Sequence, residues 1–492
     1  MMMIQKILSF NTNSLTYKAG FLAFGNGLRG ISGILLLIIL SRTLTPFEYG
    51  GYRQVWMLIT ILSQIFLLGL PVSLNFFISG NTLENQRKFL GQTLSLTFVI
   101  SFVLSIVVLL FRDKIGIYFN NPSLAQYIVY VTPVFLLFST FQLFSPALVA
   151  KGYYRNSVYV NTVISILLLL FVGGTSIIQT NIKFIYFGLD IAVGLGFFLI
   201  IITLFNKYNK INFDLNFKRI REQLKYAVPL GLASLIGLIS KYLDKLIVGK
   251  YFSTEEFAIY ANGAFELPFI GIITGSAMAI LLPEFVRFYK KEDYSSIGRV
   301  WRNSIQKISI ILIPVTIFSL FFSEEIIVTM FSNKYVASTQ IFFIYLLALP
   351  MRITIFGSVL SAINKNKIII IYQLISLSVN IILSLILLKY FGIIGPAIGT
   401  VIAVYVINLG QLIHISKLIK INVVELFPFL HILKLSATSL IVVLFIHIIP
   451  IYQAEAITRL LVSVILFIIL YYIILVKVFN VRIYKGFFNI RK

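Results

Sequence analysis

Again and again this chain runs for about twenty residues with hardly a charge, the length a helix needs to cross about 30 Å of hydrocarbon. Fourteen such runs can be drawn, at 19–41, 52–78, 89–111, 124–149, 157–178, 183–205, 226–249, 257–283, 304–323, 337–362, 367–389, 393–415, 428–450 and 457–478. Composition agrees: 12% of residues are charged, against about 25% in soluble proteins. In lipid every backbone polar group must be satisfied within the segment, which leaves helices or closed barrels. Pro71, Pro229, Pro283 and Pro350 fall inside the runs, which packed membrane helices tolerate and lipid-facing strands do not. The first run is too long for a cleaved signal peptide and lacks a small-residue cleavage site, so it is expected to remain as a span.

The loops set an orientation. With the N-terminus inside, the inner segments hold Arg87, Lys88, Lys151, Arg155, Lys207, Lys210, Lys218, Arg219, Arg221, Lys225, Arg287, Lys290, Lys291, Arg299, Arg302, Lys365, Lys367, Lys417, Lys420 and the basic C-terminus. The outer segments hold one or two cations each, among them Arg42, Arg112, Lys114, Lys183, Lys250, Lys334 and Lys389. That bias predicts both termini in the cytoplasm. The net charge of +24 is thereby assigned to loops facing anionic lipid. The scatter of the cations argues against nucleic acid. The longest inner links, 206–225 and 284–303, leave no room for an extramembrane catalytic domain, so no catalytic residues are expected. The chain has no cysteine, and its three histidines, His414, His431 and His447, fit no helical metal pair. No metal or cofactor site is expected.

The chain repeats itself. Residues 41–52 read SRTLTPFEYGGY and residues 249–260 read GKYFSTEEFAIY. At an offset of 208, Arg42 answers Lys250, Thr45 answers Ser253, Glu48 answers Glu256, and Gly50 answers Ala258. Ala150–Arg155 is echoed by Ala362–Lys367 at an offset of 212. Six spans separate the copies, so both lie on one side of the membrane, as in a parallel repeat. The expectation is an all-α polytopic membrane protein with 14 transmembrane helices: two six-helix lobes, 1–206 and 207–420, then spans 13–14 with a tail, 421–492. Duplicated lobes suit alternating access around a site near the midplane.

Charged residues within spans mark candidate sites, because each costs about 2.5–3.5 kcal/mol at a span's centre. Gly25, Asn26, Arg29, Gly30 and Gly33 share one helical face in span one. Arg29 there either lines an anion-binding cavity or bonds a neighbour within a packing stripe. Lys241, Asp244 and Lys245 share a face of span seven, where Asp244 can pair with either lysine. Arg352 follows Pro350 in span ten, and Arg53 opens span two, where it either faces the ligand or sits at the membrane interface. Cations from both lobes point to an anionic ligand, since the guanidinium fork grips two phosphate oxygens at once. Asp190, Asp244 and Glu266 are either proton or sodium relays or counter-ions to the cations.

These motifs carry a resemblance. Arg42-Thr-Leu-Thr-Pro-Phe-Glu-Tyr-Gly50, Tyr226-Ala-Val-Pro-Leu230, Leu243-Asp-Lys-Leu-Ile-Val-Gly249, Asn333-Lys-Tyr-Val-Ala-Ser338 and Phe391-Gly-Ile-Ile-Gly-Pro-Ala-Ile-Gly399 resemble the Wzx-type polysaccharide flippases of the multidrug/oligosaccharidyl-lipid/polysaccharide exporter superfamily. Ala258 departs from the glycine usual there. The resemblance implies a transporter in a bacterial inner membrane, and not an enzyme. It would pass an undecaprenyl-pyrophosphate-linked oligosaccharide from the inner to the outer leaflet during O-antigen, capsule or exopolysaccharide synthesis. By the charge pattern above, Asn26, Arg29, Arg53, Lys241, Lys245 and Arg352 would contact substrate, and the resemblance carries over the position of Asp244. Membrane lipids, a polysaccharide polymerase, chain-length proteins and coupling H+ or Na+ are the implied partners. A lipid II flippase and a multidrug antiporter of the same superfamily are the rival readings, with a membrane polymerase behind them.

Overall fold

The first repeated corner builds a cap. Thr45 Oγ1 accepts from the Glu48 amide at 3.3 Å, and Glu48 Oε2 accepts from the Thr45 amide at 3.2 Å. Two orphan donors of the helix start are thus satisfied reciprocally, and Pro46 fills the first helical turn, where no amide is needed. The second corner does the same: Glu256 Oε2 accepts from the Ser253 amide at 2.9 Å, and Ser253 Oγ accepts from the Glu256 amide at 3.2 Å.

The computed structural model describes residues 15–265, 267–449 and 455–479, and no strand occurs among them. Packing divides the chain into two compact units, Met1–Ile259 and Tyr260–Lys492. The first unit holds α1 (Leu15–Thr43), α2 (Pro46–Leu67), α3 (Leu70–Ile78), α4 (Leu83–Leu110), α5 (Arg112–Tyr118), α6 (Ser123–Tyr130), α7 (Thr132–Ala150), α8 (Tyr154–Ile178), α9 (Ile182–Tyr208) and α10 (Phe217–Tyr251). Helix α11 (Thr254–Gly263) contains the division. The second unit continues with α12 (Pro268–Lys290), α13 (Tyr294–Phe321), α14 (Ser323–Phe331), α15 (Ser338–Leu346), α16 (Phe356–Ala362), α17 (Asn366–Phe391), α18 (Gly395–Ile419), α19 (Val423–Leu426), α20 (Phe429–Ile448) and α21 (Ala456–Phe479).

Leu70, Leu90, Leu143 and Ile200 meet in the core of the first unit. In the second, Phe318 and Phe322 of α13 and its end pack with Val443 of α20 and Phe467 of α21. Arg459 of α21 also pairs with Glu325 of α14. Spans 13 and 14 are therefore fastened to this unit by both apolar and charged contacts. Packing and repetition divide the chain at different places. Helix α10 opens the second repeat, yet it packs on α2 and α3 of the first unit.

Twelve helical stretches among the described residues are long and apolar enough to cross a bilayer, or thirteen when one bent pair counts as a span. The bent pair is α2 and α3, which meet at 48°. Leu68 and Gly69 take left-handed φ of 41° and 79° at the bend. A side chain on Gly69 would lie 2.3 Å from the Ala227 carbonyl oxygen, and one on Gly231 would lie 2.3 Å from the Leu68 carbonyl carbon. Glycine at both positions lets the broken backbone touch α10. The stretch Asn366–Ile419 is one of the twelve, but it doubles back at Phe391–Ile394. Gly395 lies against Leu387 and Gly399 against Ser384, while the Tyr372 hydroxyl donates to the Gly410 carbonyl at 2.9 Å.

The helices outrun the apolar windows. α10 begins at Phe217 rather than 226, and α12 runs to Lys290 rather than 283. Hydropathy marks where lipid ends, whereas a polar sequence without breakers carries the helix onward into water. Span ten is interrupted where a continuous helix was expected. Between α15 and α16 the backbone tightens at Leu349–Ile353 and turns left-handed at Ile355, φ 46°. Two side chains bond carbonyls of this break: Trp301 Nε1 donates to Thr354 at 2.6 Å and the Tyr405 hydroxyl to Leu347 at 2.9 Å.

The left-handed residues expose the repeat more fully than the sequence does. Gly80 and Glu292, Asn120 and Ser332, and Gly152 and Asn364 are each 212 apart, and Asn209 and Lys420 are 211 apart. Four residues of this kind, Leu68, Gly69, Ile355 and Gly392, remain outside such pairs among the described residues. At the second echo the hydrogen bonds also match. Tyr153 N donates to Leu148 O and Lys365 N to Leu360 O, both at 2.8 Å, the six-to-one bond that closes a helix end over a left-handed residue.

Candidate functional site

The capped start of α2 places Arg53 two turns into that helix. Its Nη1 donates to the hydroxyl of buried Tyr49, one turn earlier, at 2.8 Å. Facing it on α10, Asp244 is 1% exposed and lies 3.4 Å from the ammonium of Lys245, whose side chain is 14% exposed. Arg53 and Lys241 both lie within the electrostatic reach of Lys245. The Tyr242 hydroxyl lies near Thr60 of α2 and within the electrostatic reach of both Arg53 and Asp244, so the ring stands where α2 and α10 meet in this cluster. Lys241 is exposed, and its ammonium stands 5.9 Å from the Tyr242 ring centroid. Asp244 pairs with its sequence neighbour Lys245, one of the two partners its position allowed. The four side chains Arg53, Lys241, Asp244 and Lys245 sum to two positive charges. Such a group can replace water around phosphate oxygens, with Arg53 as the forked donor.

α1 presents two exposed faces. Phe24, Ile31 and Leu35 form one; Asn26, Arg29 and Gly33 form the other, about 180° away around the helix. Gly25 departs from that polar stripe: it is buried, and an added side chain would lie 2.6 Å from Val158. The stripe thus divides between packing at Gly25 and exposure at Asn26 and Arg29. The apolar face suits acyl chains, and the polar face lies on the opposite side of the helix.

The other candidates lie elsewhere. Arg352 is exposed on the Leu349–Ile353 segment of the second unit. Asp190 is half-buried on α9, where its Oδ1 accepts no hydrogen bond and no Lys or Arg lies within ion-pair distance among the described residues. Glu266 falls outside the described residues. Among those described, no three His, Asp or Glu side chains gather closely enough to hold a metal ion. Tyr49, Thr60 and Tyr242 complete the α2–α10 cluster and escaped the sequence reading. The i, i+4 spacing of Tyr49 and Arg53 was the available signal.

Residues 39–340 match the profile of a family described as "Polysaccharide biosynthesis protein". The chain is 21% identical over 399 residues to the capsular polysaccharide biosynthesis protein CapF of Staphylococcus aureus, covering 78% of this chain and 95% of that one. It is 25% identical over 228 residues to the probable low-salt glycan biosynthesis flippase Agl15 of Haloferax volcanii; that match covers 45% of this chain and about half, 48%, of the relative. Among solved structures, lipid II flippase MurJ in an inward closed conformation superposes with a TM-score of 0.77 at 19% identity, over 93% of this chain and 98% of that one. An inward-facing multidrug resistance transporter of the MOP superfamily superposes at 0.63 and 15% identity, over 83% and 97%. The fold is therefore the one seen in lipid II flippase MurJ and in this multidrug resistance transporter, and by its profile match over more than half its length the chain belongs to the polysaccharide biosynthesis protein family.

Proposed function

We propose that the protein carries an undecaprenyl-pyrophosphate-linked oligosaccharide from the inner to the outer leaflet of a bacterial inner membrane by alternating access. The observation that carries this reading is the cationic cluster of Arg53, Lys241 and Lys245 with Asp244, set where apolar helices α2 and α10 meet. An anion that must leave water needs such a surrogate solvation shell. Arg29 and Asn26 on the polar face of α1 extend it, and Arg352 of span ten is the candidate phosphate contact of the second repeat. The repeats 1–206 and 207–420 supply the two halves of the cycle, with 421–492 appended. Fourteen spans follow when the bent α2–α3 pair is counted once and the doubled-back Asn366–Ile419 stretch twice; both termini then lie in the cytoplasm. Asp190, which meets no cation among the described residues, is the candidate for H+ or Na+ coupling. A polymerase and chain-length proteins would take up the product.

The reading is tested in vesicles loaded with a labelled lipid-linked oligosaccharide. Arg53→Gln and Lys241→Gln are expected to slow flipping about tenfold or more, the weight of a charge-assisted hydrogen bond of about 1.5–3 kcal/mol. Flipping at the normal rate in both variants would remove the cluster from the mechanism. Lipid II is the second reading, favoured by the fold shared with a lipid II flippase. Mass spectrometry of the lipid-linked sugar that copurifies with the protein separates the two.

A further inference from the structure

A second group of cations stands apart from the cluster just described, at the C-terminal end of α9. Arg87 Nε donates to the Tyr208 carbonyl at 2.7 Å, and Lys151 Nζ to the Lys207 carbonyl at 2.6 Å. The Lys151 ammonium sits 4.1 Å from the centre of the Tyr208 ring, and the Lys207 ammonium 5.1 Å from that of Tyr153. Tyr208 is itself fixed, its hydroxyl donating to Ala147 O at 2.8 Å. A helix C-terminus carries about half a negative charge, far less than three cations bring. No carboxylate lies within ion-pair distance of Arg87, Lys151 or Lys207 among the described residues; nearby Glu84 pairs with Lys88. Burial, and then the Arg87 guanidinium, hold the Lys151 ammonium below the usual lysine range. An anion placed here would relieve both effects.

Closing a helix does not require the two lysines. The second repeat builds the same left-handed turns at Asn364 and Lys420 with Ile363 and Leu418 at the positions of Lys151 and Lys207. There the carbonyl of Ile421, just past the helix end, accepts from the Ser416 hydroxyl at 2.6 Å.

The surroundings identify the source of the anion. The link 209–216 lies against α4 beside Arg87: Asn212 N donates to Arg87 O at 3.4 Å, and a side chain on Gly91 would lie 2.0 Å from Asn212 O. Phe213, Leu215 and Phe217 are exposed along and just beyond this link, Phe217 by 81%, between Lys210 and Lys218. Exposed apolar side chains flanked by lysines mark the depth of a headgroup layer, where a soluble anion has no advantage over a lipid.

We propose that Arg87, Lys151 and Lys207, with the rings of Tyr153 and Tyr208, bind the headgroup phosphate of an anionic phospholipid at the membrane surface. This holds whatever substrate the transporter moves. Native mass spectrometry of the full chain, exchanged between phosphatidylglycerol and phosphatidylcholine, is the test. The intact protein is expected to retain phosphatidylglycerol preferentially. The preference should fall about fivefold in Lys151→Gln and again in Lys151→Gln/Lys207→Gln, the weight of about one surface cation each, while Arg299→Gln, at the matching position of the second repeat, keeps it. Equal retention of the two lipids by the intact protein overturns the proposal, as does an unchanged preference in the double variant. Should the double variant not fold, thermal unfolding of the intact chain decides. Protection by phosphatidylglycerol and not by inorganic phosphate upholds a lipid site, and equal protection by both overturns it.

Discussion

Asp244 is nearly sealed from solvent beside Lys245, and neither charge is tolerable there without its counterpart. Removing one partner of a buried pair costs about 3–5 kcal/mol, whereas replacing both with groups of similar volume is often neutral. Asp244→Asn is therefore expected to lower the unfolding temperature of the purified protein markedly. Asp244→Asn/Lys245→Met should recover most of the loss. A double variant as unstable as the single one would show that the pair contributes nothing as a pair. Ionisable residues of this kind were legible in the sequence, because their cost in lipid makes each conspicuous. Their partners were not. Tyr49 and Tyr242 are two of 26 tyrosines, and nothing local distinguishes a tyrosine that holds an arginine from one that fills a core. Charge spacing alone also left burial undecided: Lys241 and Asp244 share a face by periodicity, yet one is exposed and the other sealed.

At the scale of elements, the apolar runs located most helices, and the failures have common causes. A hydropathy window reports the solvent around a segment and not its backbone, so it missed the extensions of α10 and α12 and the break between α15 and α16. The sequence Leu68-Gly69-Leu70-Pro71 carries breakers, but its apolar side chains concealed the bend. Neutral polar residues were overlooked for the same reason. Gln92 of α4 donates to Gln223 of α10 at 3.0 Å, and Gln223 donates to Ser73 of α3 at 3.0 Å and to Thr93 of α4 at 2.7 Å, all four side chains being buried. Ser73 and Thr93 also donate to backbone carbonyls, so loss of Gln223 strands chiefly the Gln92 amide. Gln223→Leu should destabilise the protein by about 1–3 kcal/mol, the cost of one buried group left without a partner. Gln92→Leu/Gln223→Leu should restore part of that in the same unfolding measurement. Equal stability of the three proteins would mean that this network does not hold α10 to α3 and α4.

Over the whole molecule, the duplication is written more durably in backbone than in residue type. Two corners revealed it in the sequence, whereas four pairs of left-handed turns reveal it in the structure, and their residues have diverged to Gly and Glu, Asn and Ser, Gly and Asn, and Asn and Lys. A turn closed by main-chain hydrogen bonds accepts several side chains, which is why the sequence preserved so few of its matches. The turns also supply a topological test. If six spans separate equivalent positions, both members of every pair face the same side of the membrane, and the second pair, Asn120 and Ser332, faces the side opposite to the other three. The chain has no cysteine, so single cysteines report without background. Asn81→Cys and Glu292→Cys lie by the first pair of turns. Asp113→Cys and Glu324→Cys begin the short helices that lead to the second pair. In intact cells a membrane-impermeant maleimide is expected to label Asp113→Cys and Glu324→Cys, and to reach Asn81→Cys and Glu292→Cys only after permeabilisation. Members of one pair labelling from opposite sides would mean an odd number of spans between the repeats. The halves would then be inverted rather than parallel, and the count of fourteen spans with both termini in the cytoplasm would have to be abandoned.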